Sequence, residues 1–199
     1  MRSTSNFIFG IVAFVIFIII FFIIIITVRG GSNDNKQDTP TSTSTDKKFS
    51  AEEARNKTLK FTVMGGVKAD EKYKKLEMTV SPTARNIRVI KTYNNEVEKE
   101  ENLYNNQAAY DAFFAAVDGE GFFDTKEESK RPDENYACPT QKHYKVEVID
   151  GADVLHSTWA TFCTDARYGT YNGYVTDVNT LFTRQFPDYR KFMSGVKLN

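Results

Sequence analysis

The sequence predicts an α+β fold carried on a membrane stem. It calls for an N-terminal transmembrane helix, a flexible linker, and an antiparallel sheet of about five strands in β-β-β-α-β-β-α order, packed with two helices and closed by one disulfide. Three observations lead there. An uncharged apolar run fills Phe7–Val28. Beyond it, segments of period-two alternation are interrupted by one segment whose apolar residues recur at helical spacing. Two cysteines, Cys138 and Cys163, flank a hairpin-like stretch.

The stem comes first. Residues 7–28 carry no charge, and Ile16–Ile24 is built of Ile and Phe alone. At 1.5 Å per residue such a helix is roughly 33 Å long, matching a hydrocarbon core of about 30 Å. The run is longer than a secretory apolar core and lacks a small-x-small cleavage signal, so it reads as an uncleaved signal anchor; a cleaved signal peptide is the competing reading. Residues 1–6 form a short tail. Arg29, Lys36, Lys47 and Lys48 follow the stem while Arg2 precedes it, so the positive-inside count does not orient the chain. The short tail and a cysteine pair suited to an oxidising compartment place the N-terminus in the cytoplasm and the C-terminal domain outside it.

Residues 29–49 read as a Ser/Thr/Asn-rich linker, too poor in large apolar side chains to fold. It serves as a spacer of about 25 Å, or as a linker without a role of its own. The head then occupies residues 50–199. Ser50-Ala51-Glu52-Glu53 has the form of a capping box opening a short helix. Leu59–Val63, Lys75–Val80 and Ile87–Tyr93 alternate as strands, punctuated by Gly65-Gly66, Ser81-Pro82 and Asn94-Asn95, and predict a sheet with one solvated face covered by intervening lysines. Between Asn105 and Val117 the period changes: Tyr110, Phe113, Phe114 and Val117 make one apolar stripe, stopped at Gly119 and Gly121. A polar loop, Asp124–Asn135, leads to a hairpin of Tyr144–Ile149 and Val154–Phe162. With Gly151-Ala152 at the tip, Val148 faces Leu155, Val146 faces Ser157 and Tyr144 faces Trp159. The same register brings Cys138 near Cys163 at the open end, where a bond is geometrically plausible; two free buried thiols are the alternative. A final helix has Thr176 as N-cap and ends before Pro187.

Composition and motifs bound the chemistry. With 26 basic and 26 acidic residues the chain is not a wholesale polyanion binder, and no nucleic-acid partner is expected. Two cysteines cannot build a four-thiolate zinc site, and no metal site or cofactor is expected. The hairpin register sends His143 and His156 to the outer face as surface histidines, about 13 Å apart along the strand. No nucleophile–base pair stands out, so no catalytic residue is assigned. Asn56-Lys57-Thr58 fits a glycosylation acceptor only as a short motif. The aromatic segment Tyr168, Tyr171 and Tyr174, with Gly169 and Gly173, is either a binding loop for a sugar or peptide face or a loop folded over the disulfide.

Several strings carry a resemblance: Cys138-Pro139, the Trp159-to-Cys163 spacing, Gly169-Thr170-Tyr171-Asn172-Gly173, and Leu181-Phe182 followed by Gln185-Phe186-Pro187-Asp188-Tyr189. Together with Asn105–Tyr110 and Gly121-Phe122, they resemble uncharacterised single-pass membrane-anchored proteins of small-genome bacteria, across most of the head. Phe186 stands where that pattern has Ile. The resemblance implies an anchored extracytoplasmic α+β domain and carries over no functional residue.

The function expected is therefore non-catalytic: a head, rooted in the lipid bilayer through residues 7–28, that binds or scaffolds a protein or cell-wall partner at the envelope. A pilin-like filament subunit and an inhibitor- or immunity-type binding module are the rival expectations. Gly30-Gly31 speaks against the former by breaking the continuous helix a pilin uses.

Overall fold

The computed structural model describes residues 49–67, 72–127, 134, 137–163 and 166–198. The expected membrane helix Phe7–Val28 and linker residues 29–48 lie outside the described residues. Among the described residues, no helix is long and apolar enough to cross a membrane.

The head is an α+β domain with a seven-stranded antiparallel sheet. Its elements run α1 (Ala51–Ala54), β1 (Thr58–Met64), β2 (Lys74–Val80), β3 (Ala84–Lys91), β4 (Glu96–Tyr104), α2 (Gln107–Gly119), β5 (His143–Asp150), β6 (Asp153–Phe162), β7 (Arg167–Tyr168), α3 (Val175–Thr183) and α4 (Tyr189–Phe192). In space the strands are ordered β4-β3-β2-β1-β5-β6-β7. A meander of β1 to β4 thus shares its first strand with a C-terminal hairpin, and β1 lies between β2 and β5.

Local chemistry explains the elements that sequence predicts well. Ser50 accepts from the Glu53 amide while the Glu53 carboxylate accepts from the Ser50 amide, a complete capping box. Phe49, at the end of the expected linker, stacks on His156 at 4.6 Å, so the folded domain includes it. Asn106 caps α2 through a 3.0 Å bond from the Ala109 amide. The stripe Tyr110, Phe113, Phe114 and Val117 is buried along the whole helix, and the Tyr110 hydroxyl donates to the Lys57 carbonyl at 2.5 Å. Burial, aided by the nearby Asp111 charge, pushes that phenol up to about 12.

Helices cover one sheet face. Phe182 of α3 stacks on Phe61 of β1 at 5.4 Å and on Phe122 at 5.7 Å, and meets the edge of Phe113 at 5.0 Å. Leu59, Phe61, Met78, Val80, Ile87, Val89, Val146 and Val148 supply the sheet side of this core. Cys138 and Cys163 are disulfide-bonded with Cα atoms 5.7 Å apart. Closing a 25-residue separation contributes roughly 3 to 4 kcal/mol in the chain-entropy model.

The structure corrects the sequence expectation at four points. The sheet has seven strands rather than five, because β4 and β7 join its edges. β4 pairs with β3 from Ala84↔Tyr104 to Lys91↔Glu96 but buries no residue fully, so its run Glu96–Tyr104 lacks apolar alternation. In the hairpin, Asp150 faces Asp153 as expected, but a bulge between Val148 and Ile149 shifts the rest by one residue. Val148 then faces His156, Val146 faces Thr158 and Tyr144 faces Ala160, which puts Trp159 on the opposite face from Val146. The last long helix starts at Val175 with Tyr174, not Thr176, as N-cap. Finally, α4 follows Pro187 as an additional short helix.

Phe182→Ala removes the ring on which three others converge. In a fragment Asp46–Asn199, urea unfolding followed by circular dichroism is expected to show a loss of about 3–5 kcal/mol. Reducing the disulfide in the same fragment is expected to cost about 3 kcal/mol.

Candidate functional site

The face opposite the helices is where charge and concavity meet. Each strand sends alternate residues there, and the register aligns them in rows. One row crosses the sheet as Trp159, Lys145, Thr62, Glu77, Arg88 and Glu100, each opposite the next on the neighbouring strand. The row on one side contains Glu147 and Lys60. The row on the other contains His143, Met64 and Lys75. Apart from Trp159, Arg88 and Glu100, these residues line, together with Val67, Tyr73 and Glu134, a cleft of about 460 Å³ that runs along β1.

Two carboxylates are sunk into this face. Glu77 is 5% exposed and Glu147 is 7% exposed, far less than glutamates on a solvated sheet surface. Such burial is tolerated because cations surround both. Glu77 is 2.9 Å from Lys75, 2.8 Å from Arg88 and 3.7 Å from Lys60. Glu147 is 3.1 Å from Lys60 and 3.4 Å from Lys145. Burial is the largest effect on Glu77 and acts to raise its pKa. The hydrogen bond from Lys75 and the charges of Lys60, Lys75 and Arg88 together outweigh it and hold the carboxyl below its ordinary range. Lys60 bridges the two carboxylates, tying β1 to both neighbours.

Between these charges lies Thr62, 4% exposed, whose Oγ1 has no hydrogen-bond partner. Farther along β1 the lining becomes less polar, with Met64, Val67 and Tyr73. Burial, and secondarily the Glu134 carboxylate, raise the Tyr73 phenol.

The histidines depart from expectation. His143 is on the outer face but only 6% exposed; its Nε2 lies 3.3 Å from the Cys138 carbonyl oxygen and its ring stacks with Trp159 at 6.3 Å. His156 is on the helix side, against Phe49, and burial lowers its pKa. The two therefore occupy opposite faces, because the bulge changes the phase of β6. Among the described residues no group of three His, Cys, Asp or Glu side chains could hold a metal ion.

The three tyrosines do not form one exposed surface. Tyr171 is fully buried, its amide donating to the Trp159 carbonyl at 2.9 Å and its ring meeting the Arg167 guanidinium at 5.4 Å. Burial pushes its phenol far up. Tyr168 is half-buried in β7, and only Tyr174 is well exposed. The loop is laced to the end of α2 by Asn172 N–H to Asp124 O, Lys126 N–H to Thr170 O and Tyr174 N–H to Glu120 O. At Gly173 a Cβ would run into the Gly121 carbonyl and the Tyr171 hydroxyl, so the glycine is needed for this close approach.

Comparison with known proteins adds no identity. No protein-family model and no curated protein matches this chain. The cleft is therefore read from its own residues. None of the rows could be assembled from sequence, since β1 meets β5 across some ninety residues of chain; the period-two exposure of Lys60, Lys75 and Lys145 was the only available signal.

Two outcomes are expected. Because Glu77 has a lower pKa folded than unfolded, its contribution is fully present above the unfolded value, about 4.3, and is lost as pH falls through the folded one. Glu77→Gln should cost about 1–3 kcal/mol at pH 7, and stability measured from pH 7 to 3 should show the gap to the parent narrowing in acid. Tyr171→Phe should unfold at least as late as the parent in thermal melts, because it deletes a buried hydroxyl without a partner. Tyr171→Ala should lose about 3–5 kcal/mol.

Proposed function

We propose that this chain is a membrane-anchored binding module whose α+β head stands outside the cytoplasm and engages an envelope partner through its outer sheet face. The observation that carries the reading is the cleft itself. An idle solvated face needs only exposed polar side chains, whereas this one holds two buried, ion-paired glutamates, a buried threonine hydroxyl and an apolar end in one concavity. Desolvating charge is costly, and a preformed recess with a few convergent polar groups is the usual form of a ligand site. The disulfide supports an oxidising compartment, and the uncharged run Phe7–Val28 supports anchoring. The likeness to anchored bacterial proteins agrees with both.

The reading is non-catalytic. The one imidazole at the cleft is turned toward a backbone carbonyl, and the hydrogen bond from Lys75 with the charges of Lys60, Lys75 and Arg88 holds the Glu77 carboxyl below its ordinary range, the wrong direction for a general acid. One observation favours the inhibitor- or immunity-type variant: the hairpin tip exposes Val154 and Leu155, at 54% and 42%.

The test uses intact cells and a membrane-impermeant thiol reagent. Labelling of Cys138 and Cys163 only after external reductant, with the full-length chain recovered only in detergent, is the expected result. Free thiols that label only after lysis, or a full-length chain in the aqueous fraction, would overturn the proposal.

A further inference from the structure

We infer that the outer-face cleft takes an organic carboxylate borne on an apolar body, its charged head at Lys60, Lys145 and Thr62 and its body toward Met64, Val67 and Tyr73. This rests on the binding role proposed above and specifies the ligand's chemistry.

Charge decides the sign. At the polar end, the ammonium groups of Lys60, Lys75 and Lys145 line the cleft against the carboxylates of Glu77 and Glu147, and Arg88 adds its charge from the far side of Glu77. Arg88 is itself opposite Glu100, which leaves three cations to two anions in the lining there. The remaining lining carboxylate, Glu134, stands beside Tyr73 at the other end. Each buried glutamate already has at least two cationic neighbours within 4 Å, so neither calls for a third from a ligand. A ligand anion would instead take up the surplus, and Lys145, one-third exposed, can turn toward it.

Thr62 supplies the independent observation. Thr62 lines the cleft and its Oγ1 is buried without a partner, although buried hydroxyls are ordinarily satisfied. It lies opposite Lys145 on one side and Glu77 on the other. A ligand oxygen seated by Lys145 would accept from this hydroxyl and remove an orphaned donor at the same time.

Shape decides the rest. Lys60 and Met64 are four residues apart on one strand face, about 13 Å. The ammonium groups of Lys60, Lys75 and Lys145 gather around Glu77 and Glu147, whereas Met64, Val67 and Tyr73, with His143 and Glu134 beside them, give the cleft its apolar surface, so a ligand that filled it would be amphipathic along its length. A volume of about 460 Å³ suits a small molecule or the last one or two residues of a peptide.

The full-length chain in phosphatidylcholine nanodiscs would be titrated with 3-phenylpropionate, 3-phenylpropylamine, 3-phenylpropanamide and inorganic phosphate. Calorimetry gives one readout. Emission from Trp159, the only tryptophan in the chain and opposite Lys145 across β5 and β6, gives a second. Saturable binding of phenylpropionate, weakened about tenfold by Lys145→Gln and about fivefold by Thr62→Val but unchanged by Lys91→Gln on the distant β3–β4 pair, is expected. Preference for the amine or the amide would overturn the charge assignment while leaving a binding cleft in place. Phosphate binding as tightly as phenylpropionate would overturn the apolar half. No saturable response to any probe would overturn the inference as a whole, whereas anchoring and sidedness stand or fall on thiol labelling.

Discussion

The central position of β1 is the constraint on which the rest of the head depends. This strand pairs with β2, its sequence neighbour, and with β5, which arrives only after two further strands and a helix. Antiparallel pairing on both flanks leaves β1 no free backbone edge. Its phase is fixed by Leu59, Phe61 and Val63, which must meet the helices. Once those residues face inward, Lys60, Thr62 and Met64 face outward, and the cleft has its floor. A single pairing thus defines the apolar layer and the charged recess together.

The outer face shows how a buried charge persists in a small domain. Moving one glutamate out of water is unfavourable unless its lost hydration is replaced. Here the replacement is shared: Lys60 serves Glu77 and Glu147, while Lys75, Arg88 and Lys145 serve one each. The lysines are only partly buried and retain access to solvent, which limits their own desolvation. The helix side uses cations differently. Arg85 donates to the Gln185 carbonyl and Lys99 to those of Phe192 and Ser194, satisfying acceptors near the ends of α3 and α4.

What sequence could disclose followed the range of the interactions. The stripe from Tyr110 to Val117 was legible because a helix writes its buried face into a few consecutive turns. The capping box at Ser50 and the Cys138–Cys163 pair were legible from spacing. β4 was not, because its inward positions include Lys99 and Glu101, with Leu103 the one apolar side chain packed on the core, so an edge strand only half-covered by the helices carries no apolar alternation. Trp159 was assigned to the wrong face because the bulge, which leaves Leu155 as the extra residue between Val154 and His156, has no glycine or proline at its own positions to announce it. Tyr171 lay in a polar, glycine-rich segment that resembles an exposed loop, and only contacts with Asp124, Trp159 and Arg167 reveal it as core. The cleft was least legible, since its walls come from distant parts of the chain.

The bulge between Val148 and Ile149 has a consequence for how this hairpin can change in length. It sets the phase of β6 after a tight tip, so that Ala160 enters the apolar layer while Trp159 joins the outer face opposite Lys145. One residue gained or lost between the bulge and the tip would exchange those neighbours, carrying an indole into a space sized for a methyl group. Insertions and deletions there are consequently admissible only in pairs or with loss of the bulge itself, whereas single substitutions at the exposed tip meet no such parity rule.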